Sequence, residues 1–185
     1  AYNVLATSVC AYNAGVTPKT IAQAHRHLPG IPGRAEEYQL SNGGYVCLDS
    51  AHNEQSFEAV LSMLHERFSY VIAIFGCGGD RDSEKRPEMG RIASMYAHHI
   101  ILTPDNPRSE DPDDIMVQIK RGINANISVT CMRDREYAIT WACQHIVENG
   151  VVAVLGKGRE TEQVFHNVSC SYSDYTTIMR CLSYQ

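Results

Sequence analysis

The 185-residue chain is 44% apolar and 20% charged and carries a formal net charge of -5, the balance of a soluble globular protein long enough for one well-cored domain and an appendage. That charge excludes a broad nucleic-acid footprint, and the one tight basic cluster, His25-Arg26-His27, is too short to follow a phosphate backbone. The seven cysteines are odd in number, widely spread and without a CxxC or zinc-type spacing, which fits reduced thiols in a cytosol. No apolar run, Val71 to Phe75 included, is long enough to span a bilayer, and no leader-like segment opens the chain, so a cytoplasmic protein is expected.

In chain order, residues 3–14 place apolar side chains at helical spacing and stop at Gly15. Thr17-Pro18 then reads as the cap and first turn of a second helix reaching about His27. The chain opens Ala1-Tyr2-Asn3, inside a helical pattern and without methionine, as expected of an excised or processed piece. The stretch 28–34, LPGIPGR, breaks the pattern and marks a domain boundary. A hairpin of 37–40 and 45–48 follows, then a helix over 54–67, strand 70–75, helix 86–97, strand 99–102, helix 112–124, strand 127–130, helix 133–149 and strand 151–155. A last strand over 164–170 and a helix over 174–182 close the chain. This alternation predicts an α/β fold: a Rossmann-like, mostly parallel sheet with helices on both faces, preceded by a short helical segment.

Four predicted strands run directly into loops rich in glycine, proline or charge: DSAHN (49–53), GCGGDRD (76–82), DNPR (105–108) and GKGRE (156–160). In an open parallel sheet the carboxyl ends of the strands share the edge where ligands bind, so the four loops are expected to meet at one cleft. Its cations would be Arg81, Arg108, Lys157 and Arg159, and its carboxylates Asp49, Asp80, Asp82, Asp105 and Glu160. Guanidinium groups grip carboxylates or phosphates in bidentate fashion, so an amino acid and a phosphate ester both suit such a cleft. Each loop taken singly also reads as an ordinary tight turn. His25, His27, His98 and His99 carry no partner signal, and Cys77 has no adjacent base to activate it as a nucleophile. No GxxxxGK[ST] and no GxGxxG opening a helix after the first strand is present, which disfavours a self-contained nucleotide or dinucleotide site.

The strings themselves go further than their composition. YNVLA (2–6), GRAEE (33–37), DSAHN, FGCGGDRDSEKRPEMG (75–90), TPDNPRSEDP (103–112), DREYAI (134–139) and GKGRETEQ (156–163) resemble, in order and along nearly the whole chain, the Mur ligases, and among them the members that add meso-diaminopimelate. FGCGGDRD with KRP, and DNPR, are the specific strings. The GR and DxAH elements are shared across Mur ligases and with folylpolyglutamate synthases.

The resemblance implies ATP-dependent amide formation in peptidoglycan precursor synthesis, joining meso-diaminopimelate to UDP-MurNAc-L-Ala-D-Glu. Residues 1–32 would be the helical tail of the family's central ATPase domain and 33–185 the C-terminal, amino-acid-binding domain. ATP and Mg2+ would be held mainly by the rest of that central domain, so the piece alone would be inactive. The family pattern places diaminopimelate on Arg81, Asp105, Asn106, Pro107, Arg108, Gly156 and Glu160, with Arg108 on the distal carboxylate that lysine lacks. It places ATP near Arg34, Asp49 and His52, with Arg34 toward the γ-phosphate. The pattern's usual residues are replaced by Ala35, Ser50, Glu54, Arg159 and Tyr175, and Arg159 would set an extra cation beside Glu160. The competing readings are a related ligase for lysine or another amino acid, and a non-catalytic module keeping the fold.

Overall fold

The computed structural model describes residues 2–27, 30–166 and 168–183. Two compact units divide the chain, residues 1–31 and 32–185; Leu28 and Pro29 of the LPGIPGR stretch lie outside the described residues. The first unit is a pair of helices, α1 (Tyr2–Asn13) and α2 (Pro18–His25). Gly15, at φ 88°, turns the chain between them, and the Thr17 side chain caps α2 by accepting from the Thr20 amide at 3.2 Å.

The second unit is built on a six-stranded sheet of order β1-β2-β6-β3-β4-β5. Its strands are β1 (Glu36–Gln39), β2 (Tyr45–Asp49), β3 (Tyr70–Phe75), β4 (His99–Leu102), β5 (Ser128–Cys131) and β6 (Gly150–Leu155). Only β1 is antiparallel, paired with β2; β2, β6, β3, β4 and β5 run parallel. Between them lie α3 (Glu54–Arg67), α4 (Lys85–Tyr96), α5 (Pro112–Lys120) and α6 (Arg135–His145), and α7 (Asp174–Ser183) ends the chain.

The near-continuous apolar runs of the central strands follow from burial on both faces. Val71, Ala73, Phe75, Val151, Ala153 and Leu155 pack against Phe57 and Leu61 of α3, Met89 and Ile92 of α4 and Ile115 and Ile119 of α5. The alternate residues Val46, Leu48, Ile72, Ile74, Val152 and Val154 pack against Ala138, Ile139 and Ala142 of α6 and Ile178 of α7. The period-2 geometry of a strand divides one run between two cores.

Three elements differ from the sequence expectation. The single strand over 164–170 is a separate two-stranded hairpin, β7 (Glu162–Phe165) and β8 (Val168–Ser171), turned by His166 at φ 46°. Helix α5 stops at Lys120 rather than 124: the Gly122 and Ile123 amides turn to the carbonyls three residues back, Ile119 and Lys120, where Gly122 passes close to the Pro87 carbonyl. Helix α6 stops at His145 rather than 149: Ile146 turns extended and is 4% exposed, and Asn149 takes φ 57° to enter β6.

Candidate functional site

The parallel strands β2, β6, β3 and β4 deliver their carboxyl ends to one edge, and the loops that follow enclose a cleft of about 580 Å³. It is lined by glycine backbone, by Arg81, Lys85, Arg108 and His52, and by Asp82, Asp105, Asn106 and Glu160.

The loop after β3 depends on glycine for close packing. A Cβ at Gly76 would collide with the Thr103 carbonyl, and one at Gly79 with the Pro107 carbonyl. These clearances let Gly79 N–H donate to the Asn106 carbonyl at 2.9 Å and the Gly79 carbonyl accept from Arg108 Nη1 at 2.7 Å. Arg81 and Arg108 flank Gly78: a Cβ built there would stand 2.9 Å from Arg108 Nη1 and 3.6 Å from Arg81 Cγ. Arg108 takes φ 53°, a conformation that costs a non-glycine residue about 1–3 kcal/mol unless its surroundings fix it. Here they do, since its N–H donates to the Val164 carbonyl at 3.0 Å and its carbonyl accepts from His166 at 2.5 Å.

Under this loop lies Arg86, whose side chain is 0% exposed. Its Nη1 reaches Glu110 at 2.8 Å and Gln118 at 2.9 Å, and its Nη2 reaches the Gly78 carbonyl at 3.1 Å. Glu110 also accepts from the Asp80 amide at 2.6 Å and is held below the usual carboxylate range, chiefly by Arg86. Asp80 accepts from the Ser109 hydroxyl at 2.6 Å, so it ties two loops together and does not line the cleft.

On the other wall, Lys157 is 1% exposed and donates to Asn106 Oδ1 at 3.0 Å and Glu160 Oε2 at 2.9 Å. Asn106 Nδ2 donates to the same Glu160 oxygen at 3.1 Å. Lys157 therefore orients two cleft residues from beneath and is not a cleft cation. Asp105 sits beside Gly156, where a Cβ would stand 2.7 Å from its Oδ2. Burial pushes the Asp105 carboxyl up, against the opposing pull of Arg135 and Lys157. Pro107 is buried and contributes backbone. Cys77 lines the floor with its thiol pushed up to about 12 by burial, which leaves it protonated and unsuited to attack.

The expected ATP residues divide. His52 lines the same cleft, its ring Nδ1 2.7 Å from the Ser50 carbonyl. Asp49 is buried, and its two oxygens accept from the amides of Ala35 at 2.6 Å and Ala51 at 2.7 Å, binding the GR loop to the end of β2. Arg34 is exposed on that loop. Arg159 lines a concavity with Glu160 but does not pair with it: its guanidinium pairs with Glu36 and lies over the Tyr175 ring at 3.4 Å, a cation–π contact. Glu36 offers both carboxylate oxygens and Tyr175 an aromatic face, whereas Glu160 Oε2 already accepts from Lys157 and Asn106.

Three supports carried no separate sequence signal. Arg135 is fully buried against Asp174, with Nε–Oδ1 and Nη2–Oδ2 distances of 2.8 Å, and it donates to the Leu155 carbonyl at 2.9 Å. Gln163 donates to the carbonyls of Pro104 and Asp105 at 3.0 and 2.8 Å. Arg86 is the third; all three lie within motifs of the resemblance, KRP, DREYAI and GKGRETEQ. Among the described residues no group of three His, Cys, Asp or Glu side chains is placed to hold a metal ion.

Residues 33–158 match the family model "Mur ligase, glutamate ligase domain". The chain belongs to the Mur ligase family. It is 39% identical over 160 residues to the UDP-N-acetylmuramoyl-L-alanyl-D-glutamate--2,6-diaminopimelate ligase of Helicobacter pylori (strain J99), covering 86% of this chain and 35% of that protein. A solved structure of a ligase of the same name superposes with a TM-score of 0.78 at 31% identity, over 98% of this chain and 37% of the other. The bifunctional folylpolyglutamate synthase/dihydrofolate synthase of Yersinia pestis CO92 shares the fold at a TM-score of 0.60 and 22% identity, over 82% and 32% of the two chains. The chain thus spans about a third of the length of the relatives it matches.

Proposed function

We propose that this chain is the amino-acid-recognising part of an ATP-dependent amide ligase that joins meso-diaminopimelate to UDP-MurNAc-L-Ala-D-Glu in the cytoplasm, a step of peptidoglycan precursor synthesis. The observation that carries the reading is the cleft itself: two arginines flank Gly78 on one side, and Asp105, Asn106 and Glu160 stand on the other. An amino acid with two carboxylates and two ammonium groups complements that set. Arg81 has no hydrogen-bond partner among the described residues, so its donors are left for a ligand carboxylate. Arg108, fixed on Gly79, presents its remaining donors to the distal carboxylate. Glu160 and Asp105 accept from ammonium, and Gly156 leaves the backbone bare for close approach. Lysine, lacking the distal carboxylate, would leave Arg108 unpaired, and a site built around a charge partner rejects such a ligand.

Arg34 is the exposed cation available to the ATP γ-phosphate, where positive charge stabilises the transferring group. Asp49 serves by holding the Arg34 loop, and His52 stands at the cleft margin. ATP and Mg2+ belong chiefly to the remainder of the ligase, which supplies the acyl phosphate that the diaminopimelate amine attacks. The chain alone is then a binding unit without turnover.

The test is phosphate release by the full-length ligase, with UDP-MurNAc-L-Ala-D-Glu and either meso-diaminopimelate or lysine, for wild type and Arg108→Ala. Loss of charged hydrogen bonds worth about 1.5–3 kcal/mol lowers kcat/KM for diaminopimelate roughly 10- to 100-fold and narrows its margin over lysine. Turnover with lysine but not diaminopimelate in the wild type would refute the assignment, as would no turnover with either amino acid from folded protein.

A further inference from the structure

A second concavity lies away from the cleft, between α6 and α7. It measures about 360 Å³ and is lined by Glu136, Thr140, Cys143, Thr177, Arg180 and Cys181, among others. Two of the seven cysteines therefore face one cavity. Cys143 is 0% exposed and Cys181 8%, and the Cys181 sulfur lies 3.9 Å from Thr140 Oγ1. The half-exposed Glu136–Arg180 pair, at 2.8 Å, crosses from one helix to the other beside them.

The helix register agrees with the shared cavity. Arg135 and Asp174 join the first turns of α6 and α7. Cys143 is eight residues beyond Arg135, and Cys181 seven beyond Asp174. At about 1.5 Å of rise per residue the two cysteines stand roughly 10–12 Å along their helices from the ion pair, a similar distance on each helix.

We propose that Cys143 and Cys181 form a peroxide-reactive dithiol, a modification site separate from the ligand cleft and independent of the ligase reading. The Cys181 thiolate attacks one oxygen of hydrogen peroxide. An S–O bond forms, the O–O bond breaks, and the departing hydroxide takes a proton to become water. Cys143 then attacks the resulting sulfenic acid: an S–S bond forms, the S–O bond breaks, and a second water leaves. Overall two thiols are oxidised and one peroxide is reduced to two waters.

The division of labour follows the surroundings. Cys181 is the more accessible thiol, and the neighbouring Cys143, then Thr140 and the Arg180 charge, pull it below the usual thiol range against desolvation. Cys143, fully buried, is pushed up by its neighbour Cys181 and by burial, as befits the resolving thiol. The product would tie α6 to α7, whose first turns hold the Leu155 and Pro104 carbonyls behind the cleft through Arg135.

The experiment uses the 185-residue chain, reduced, desalted and exposed to stoichiometric hydrogen peroxide, followed by intact mass and peptide mapping under non-reducing conditions. The expected product has lost two hydrogens, carries a 143–181 crosslink, and melts on the order of 5–10 °C higher than the reduced chain. Cys143→Ser should stop at a sulfenic acid on residue 181 that dimedone traps, and Cys181→Ser should give neither adduct nor crosslink. A crosslink confined to exposed Cys10, Cys131 or Cys170, or peroxide consumption with Cys143 and Cys181 still alkylatable after unfolding, would overturn the proposal. Because the wild-type map needs no variant, the outcome stands even if a substitution impairs folding.

Discussion

Replacing Asp174 by Asn tests whether a buried ion pair holds the back of the cleft. Arg135 and Asp174 are both 0% exposed and share two hydrogen bonds of 2.8 Å, and Tyr172 donates a third to the carboxylate at 2.8 Å. Asparagine keeps the shape but removes the charge and turns an NH2 group toward a guanidinium that cannot lose its proton. Breaking one partner of a buried pair costs about 3–5 kcal/mol, a large part of a typical total of roughly 5–15 kcal/mol. For a chain of this size that lowers Tm by about 6–20 °C. Urea unfolding at pH 7, followed by circular dichroism, should show the midpoint falling at unchanged m. The exposed Arg133–Asp113 pair is the control, because solvent screens it: Asp113→Asn should leave the midpoint where it was. A loss below about 1 kcal/mol for Asp174→Asn at constant m would refute the reasoning.

Acid titration of stability isolates Glu36, whose carboxyl is lowered from 4.5 to about 2, chiefly by Arg159. A depressed carboxylate stabilises the fold fully above its unfolded pKa and loses that contribution as pH falls through the folded one. The stability gap between wild type and Glu36→Gln should therefore be widest above pH 4.5 and close toward pH 2; a gap constant with pH contradicts it. Gly79→Ala drives a Cβ into the Pro107 carbonyl and should lower stability by about 1–3 kcal/mol. Gly30→Ala, with nothing within 4 Å of its Cβ, should be silent in the same urea assay. Cys77, with its thiol pushed up to about 12, should resist iodoacetamide at pH 8 in the native chain and react on unfolding, whereas rapid native labelling would place it at the surface.

Strand identity in the second unit was legible because burial on two faces leaves its mark along β3 and β6, and the start of α2 because Thr17 and Pro18 announce it through local chemistry. Four loops could be assigned to one edge for a similar reason: parallel βα order alone fixes which strand ends are neighbours. What the tertiary structure decided was the destination of long side chains. Lys157 and Arg159 are separated by one glycine, yet one is buried beneath Asn106 and Glu160 and the other leaves for Glu36 and Tyr175. Their partners come from distant segments, and no local pattern records such pairings. Asp49 likewise reads as an available carboxylate until Ala35 and Ala51 are seen to take both its oxygens. The β7–β8 turn escaped notice because His166, rather than glycine, adopts the positive φ there. Residue type and spacing thus determined which backbone elements form, since those forces act within a few residues, whereas the direction of each charge depended on which unpaired group the folded chain brought within reach.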